Sequence, residues 1–214
     1  LLVLLVIWFI PTPEGVTDQA WQLLAIFIAT IVGLILQPLP MGAMVLLGVA
    51  ATVVTGARTI GEALSGFSNG VVWLIVLAFL LSRGFILTGL GRRIAFIMIK
   101  AIGKSTLGLS YALTISDLII APATPSNTAR AGGVIFPIAK SLAVSFDSEP
   151  GPTARRMGSF LMFTEYQVCL ITSAMFMTAM AANPLIVELS AETLGVELGW
   201  ASWALAALVP GVAS

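Results

Sequence analysis

Apolar residues in this chain gather into long unbroken runs, without the alternation of a half-buried strand or the one-sided spacing of a soluble helix. Residues 1–10 form such a run and stop at Pro11 and Pro13. Residues 21–36 form a second, ending at Gln37-Pro38-Leu39-Pro40, and residues 41–55 a third. A glycine-rich polar connection precedes a fourth, residues 71–90. Residues 157–180 give a further run, interrupted near Asn183-Pro184, and another opens at Trp200. About 20 apolar residues in a helix cross roughly 30 Å of hydrocarbon, so the pattern predicts an all-α chain of transmembrane helices. Residues 91–103 differ: Arg92, Arg93 and Lys100 stand beside Ile94, Phe96, Ile97 and Met98, the composition of a helix lying in the membrane interface.

Composition supports lipid as the main solvent. Of 214 residues, 58% are hydrophobic and 9% charged, with a mean hydropathy of +1.05; soluble domains carry roughly 25% charged residues. The net charge of zero argues against nucleic acid as a partner. There is no histidine and one cysteine, Cys169, so disulfide frameworks, histidine triads and common zinc sites are excluded, and no nucleophile–base pair suggests an enzyme or a metal centre. The first run lacks a basic leader and a cleavage site, so we read it as the end of a spanning helix in a segment of a longer protein. Charge then orients the chain. With residue 1 on the cytoplasmic side, Glu14, Asp18, Glu62, Glu188, Glu192 and Glu197 fall outside, with Arg58 the one base among them. Arg83, Arg92, Arg93, Lys100, Lys104, Lys140, Arg155 and Arg156 fall on or near the inside, the asymmetry of a multi-pass integral membrane protein.

One stretch resists a simple crossing. Residues 106–121 and 129–144 are apolar arms of 16 residues each, separated by Pro122-Ala123-Thr124-Pro125-Ser126-Asn127-Thr128. Each arm is about 24 Å as a helix, short of a full crossing. The outer ends carry Lys104, Lys140, Arg155 and Arg156. If both ends are cytoplasmic, the arms form a re-entrant hairpin with its tip near mid-membrane, broken by two prolines that cannot continue the first arm. Two short crossing helices joined outside are the alternative.

Irregular backbone at membrane depth is tolerated where it is buried in protein or lines a wet cavity. Ser126, Asn127 and Thr128 offer two hydroxyls, a carboxamide and the N-terminus of the second arm, which suits a carboxylate. The same oxygens suit a hard cation such as sodium, and an ordinary helix cap accounts for them equally well. The break around Thr178-Ala179-Met180-Ala181-Ala182-Asn183-Pro184 repeats the pattern, and a broken helix facing a re-entrant tip is a common way to build a midplane site. Thr178 and Asn183 join the candidates there for the anion, and Ala179 those for a cation; a helix simply ending outside at Asn-Pro is the alternative. Arg130, two residues past the tip, is costly in lipid unless paired, and Asp117 in the first arm can face it. Glu165 is a candidate proton or ion site, against the alternative of a residue that is paired or faces a cavity near the membrane edge. Cys169 reads as packing, as do Met175, Met177 and Met180.

The run from Ala121 through Pro125-Ser126-Asn127-Thr128-Ala129-Arg130 to Ile138 resembles the first hairpin of the divalent anion–sodium symporter family. It is similar in particular to the branch of plastid 2-oxoglutarate/malate translocators and bacterial citrate/succinate exchangers. Gly89-Leu90-Gly91-Arg92-Arg93-Ile94-Ala95 and the run from Ser173 to Leu185 resemble the same branch, and the similarity covers essentially the whole chain. It implies an elevator-type carrier, usually a homodimer, with two inverted repeats that each supply a Ser-Asn-Thr tip. This chain holds one tip, so the resemblance implies one inverted repeat, with a C-terminal half elsewhere. On that basis residues 1–103 make up scaffold-like helices plus the interfacial helix. Residues 104–198 form the transport-domain half, with the hairpin at 106–144 and the broken helix at 157–190, and residues 199–214 begin the next span. Sodium-coupled relatives carry a hydroxyl four residues before the tip serine and a Gly-Thr-Pro-Pro-Asn break. Here those places hold Pro122 and Ala179-Met180-Ala181-Ala182-Asn183.

These departures, with Arg130 as a fixed positive charge in place of sodium, lead us to expect a secondary active transporter that exchanges small di- or tricarboxylates without a cofactor. Ser126, Asn127, Thr128, Thr178 and Asn183 are the expected substrate contacts. Ser126, Asn127, Ala179, Arg130 and Asp117 are the positions that would hold a sodium ion or replace its charge. Alternatives are a sodium-coupled symporter of a dicarboxylate or of another oxyanion such as sulfate, and a non-transporting membrane scaffold subunit. A bacterial inner membrane or a plastid inner envelope is the expected location.

Overall fold

A computed structural model describes residues 2–214, with side chains from Leu4 onward. Every regular element among the described residues is helical. The chain packs as two compact units, Leu1–Asn69 and Gly70–Ser214. These are units of packing, distinct from the functional divisions expected at residues 103 and 198.

The first unit contains α1 (Leu2–Trp8), α2 (Asp18–Leu36), α3 (Met41–Val54) and the short α4 (Ile60–Ala63), followed by a 3-10 turn at Ser65–Ser68. Thr17 starts α2 by accepting a hydrogen bond from the Ala20 N–H. The Trp21 indole donates to the Ile7 and Ile10 carbonyls at 3.1 and 3.2 Å, closing the end of α1. Gln37 ends α2 in the left-handed conformation, and the prolines beside it bar a continuous helix into α3.

The second unit contains α5 (Gly70–Leu87), α6 (Leu90–Ile102), α7 (Thr106–Ile120), α8 (Phe136–Ser145), α9 (Gly158–Met175), α10 (Ala182–Leu194) and α11 (Trp200–Ala213). Gly89, at φ +67°, turns α5 into α6 in a conformation that costs other residues strain. A Cβ at Gly91 would lie 2.9 Å from Val134 Cγ1, so the missing side chain lets α6 seat close to the segment after the hairpin break. The core joins Ala95 of α6, Leu109, Leu113 and Ile120 of α7, Val134, Ile135 and Ile138 of the returning arm, and Leu161 of α9. The Ser148 hydroxyl accepts from the N–H groups of Met157 and Gly158, fixing the start of α9. Trp73, Leu74, Leu77, Leu80 and Leu81 of α5 are all exposed, as expected of a helix whose surroundings are hydrocarbon.

Among the described residues, three helical stretches are long and apolar enough to cross a membrane: α2, α5, and α7 with its 3-10 extension, Thr106–Ala123. That last stretch of 18 residues changes one premise. The first hairpin arm is long enough to cross because the chain keeps coiling through Ala121–Ala123, with Pro122 accommodated in a 3-10 turn. Helices α3 and α11 are apolar but 14 residues long. The 18-residue α9 falls outside the apolar set, since Thr164, Glu165, Gln167, Thr172 and Ser173 interrupt it. The interruption after α9 also comes earlier than expected. The helix stops at Met175, Phe176 and Met180 are extended around a 3-10 turn at Met177–Ala179, and α10 restarts at Ala182. Pro184 therefore sits in the first turn of the new helix. Its missing N–H and its ring forbid helix running back through Met180, so the proline sets the restart and the break precedes it.

Candidate functional site

The two breaks lie together. After α7 the backbone leaves helical geometry at Thr124, and the returning arm opens as a π-helix over Thr128–Ile135 before tightening into α8. A π-helix is wider than an α-helix and tends to occur at functional sites. Ser126 takes the capping role: its hydroxyl accepts from the Ala129 N–H at 3.2 Å and its carbonyl from the Arg130 N–H at 2.9 Å. Thr178, in the other break, donates to the Pro122 carbonyl at 2.7 Å and accepts from the Trp200 indole at 3.2 Å.

Arg130 joins everything. It is fully buried, and its Nε donates to Asp117 Oδ1 at 2.8 Å across the hairpin. Nη1 donates to the carbonyls of Thr124 and Ala179, one from each break, at 3.3 and 3.2 Å. Nη2 reaches the Ser173 hydroxyl at 2.9 Å, the Thr172 hydroxyl at 3.1 Å and the Cys169 carbonyl at 3.3 Å. The Thr172 hydroxyl also donates to Asp117 Oδ2. All five guanidinium N–H groups thus have acceptors, which is how a charge is kept inside a low-dielectric interior. Asn183 acts likewise as a brace: its Nδ2 donates to the carbonyls of Ser173 and Phe176 at 2.8 and 2.9 Å, holding the frayed end of α9.

The expected site residues therefore divide by what they touch. Ser126, Thr178, Ala179, Asn183, Arg130 and Asp117 make bonds inside the protein. Asn127 and Thr128 line a cavity of about 330 Å³ with Ala131, Gly132, Glu165 and Tyr166. Neither of their side chains is engaged in a hydrogen bond among the described residues, so the carboxamide and the hydroxyl remain available to a ligand. Thr172 and Ser173 were not foreseen as partners of Arg130, and Cys169 does more than pack. Its thiol stands between the Arg130 guanidinium at 3.7 Å and the Asn127 carbonyl, to which it donates at 3.8 Å. The signal that points to them is the spacing of Cys169, Thr172 and Ser173 along one helix opposite a buried arginine.

Residues 1–214 match the family described as the sodium:sulfate symporter transmembrane region. The chain is 58% identical over 211 residues to YflS of Bacillus subtilis, covering 98% of this chain and 44% of that protein. It is 53% identical over 210 residues to dicarboxylate transporter 1 of Spinacia oleracea chloroplasts (98% of this chain, 37% of that protein). It is 46% identical over 213 residues to the inner membrane protein YbhI of Escherichia coli (97% and 45%). The chain spans less than half the length of each of these relatives.

Proposed function

Starting from the fact that this chain belongs to the family of the sodium:sulfate symporter transmembrane region, in a multi-pass integral membrane protein, we propose that the whole protein is a secondary active carrier of small di- or tricarboxylates working by anion exchange. The spinach relative is named a dicarboxylate transporter, which supports the substrate class. The observation that carries the reading is Arg130: a buried guanidinium bonded to a carbonyl from each of two helix breaks, directly behind an Asn127–Thr128 tip that faces a cavity. Arg130, its charge balanced by Asp117, braces the two breaks from inside as a bound sodium ion would, so the cycle needs no cation. Asn127 and Thr128 take the carboxylate, and Ser126, Thr178 and Asn183 hold the backbone that presents them. The second carboxylate is met by the C-terminal half, which completes a homodimeric elevator carrier. The bonds from Arg130 to both breaks favour their movement as one block.

Uptake of labelled malate, 2-oxoglutarate, citrate and sulfate into proteoliposomes holding the full-length protein tests this. Di- or tricarboxylate uptake is expected to need internal counter-substrate and to be indifferent to sodium. A strict sodium requirement, or preference for sulfate, overturns it. The re-entrant form of the hairpin rests on the basic residues at both outer ends, since the length of α7 does not require it. Single cysteines beside Lys104 and Arg155 are expected to be labelled from the same side of the membrane; labelling from opposite sides excludes the hairpin.

A further inference from the structure

The cavity at the tip holds a second polar group that the carboxylate site leaves unused. Glu165 lies on α9 one turn before Cys169, is 5% exposed, and lines the same cavity as Asn127 and Thr128. Neither of its carboxyl oxygens has a hydrogen-bond partner among the described residues. Ala131, Gly132, Phe136, Met162 and Leu170 make up most of the remaining wall. An ionised carboxylate is costly in such a place without donors around it. The charged groups acting on it are Asp117 of α7 and Arg130 of the π-helix, and they are already paired with each other. On its own helix the titratable neighbours are Tyr166 and Cys169. Helix α8 contributes the exposed Lys140, and α11 has no titratable side chain.

A substrate dianion at the tip adds a further reason for Glu165 to be neutral, because two negative groups would share one small, poorly hydrated space. We propose that Glu165 is the proton-binding group of the carrier, protonated whenever a dicarboxylate dianion occupies the Asn127–Thr128 tip. This rests on the dicarboxylate reading above. The proton comes from water entering the cavity, binds one carboxyl oxygen, and turns an acceptor that repels the anion into an O–H that can donate to it. When the anion leaves, the proton is free to return to water on that side. Exchange of one dianion for another then carries a proton in each direction and moves no net proton. Affinity on each face of the membrane follows the local pH, and by linkage the anion raises the affinity of Glu165 for its proton to the same degree.

The test is calorimetric binding of malate to the full-length protein between about pH 6.5 and about pH 10, where malate is already a dianion by ordinary carboxyl values. Buffers of different ionisation enthalpy count the protons taken up. The wild type is expected to take up as much as one proton per malate and to lose affinity about tenfold per pH unit along the alkaline limb. Glu165→Gln, a fixed neutral group, is expected to bind malate without proton uptake and independently of pH. Glu165→Asp keeps an acid on a shorter stem and is expected to shift the midpoint of the alkaline limb, which keeps the assignment testable if the glutamine variant fails to fold. Absence of proton uptake in the wild type overturns the proposal, as does a glutamine variant with the wild-type slope or an aspartate variant with an unmoved midpoint. Failure of malate, 2-oxoglutarate and citrate to bind at any pH overturns the dicarboxylate reading, and this inference with it.

Discussion

Arg130→Gln is expected to bring exchange by the full-length protein to background and to destabilise it by about 3–5 kcal/mol, the usual cost of removing one partner from a buried ion pair. The substitution leaves Asp117, which is completely buried, without its counter-charge, and leaves the Thr124 and Ala179 carbonyls without a common donor. Arg130→Lys is expected to fail as well, since one ammonium cannot span acceptors on three segments with the geometry of a planar fork. The informative variant is the pair Arg130→Met with Asp117→Leu. Replacing both charges by apolar groups of similar bulk is often close to neutral for stability, so this double variant is expected to recover most of the lost thermal stability in detergent and none of the exchange. Recovery of exchange in the double variant would reduce Arg130 to a structural tie and remove the argument that it stands in for sodium.

At the tip the expected pattern is the reverse. Asn127→Ala and Thr128→Ala are each expected to cut uptake about ten- to hundredfold, the worth of a hydrogen bond to a charged group at roughly 1.5–3 kcal/mol. Both should leave membrane insertion and thermal stability unchanged, because neither side chain is engaged in a hydrogen bond among the described residues. Ser126→Ala serves as the contrast: it removes a cap to the Ala129 N–H, with about 1 kcal/mol of stability at stake. Uptake at the wild-type rate in both the Asn127 and Thr128 variants would move the binding site elsewhere.

What could be read in the sequence, and what could not, follows from where each kind of information resides. Hydrophobic runs placed α2, α3 and α5 because burial in lipid acts on side chains, which a sequence displays directly. The facing of Asp117 and Arg130 was legible for the same reason: a charge in an apolar arm demands a partner, and one lay 13 residues away. The other acceptors of Arg130 were not legible. Three of them are carbonyls, of Thr124, Cys169 and Ala179, and every residue has a carbonyl. The break after α9 was placed too late because a proline restricts the turn before it more than the turn after it. The π-helix over Thr128–Ile135 left no advance sign, since its register reflects how the arm packs.

The bonds of Arg130 span separations of 6 and 13 residues back along the chain and of 39, 42, 43 and 49 residues forward. This has a bearing on biogenesis. When the hairpin first leaves the ribosome, its arginine has Asp117 and the Thr124 carbonyl within reach, while most of its other acceptors have not been synthesised. The guanidinium is therefore expected to gain its full set of acceptors only after the segment ending at Ala179 has been made. Insertion and tertiary folding are expected to be coupled for this part of the chain, through its arginine.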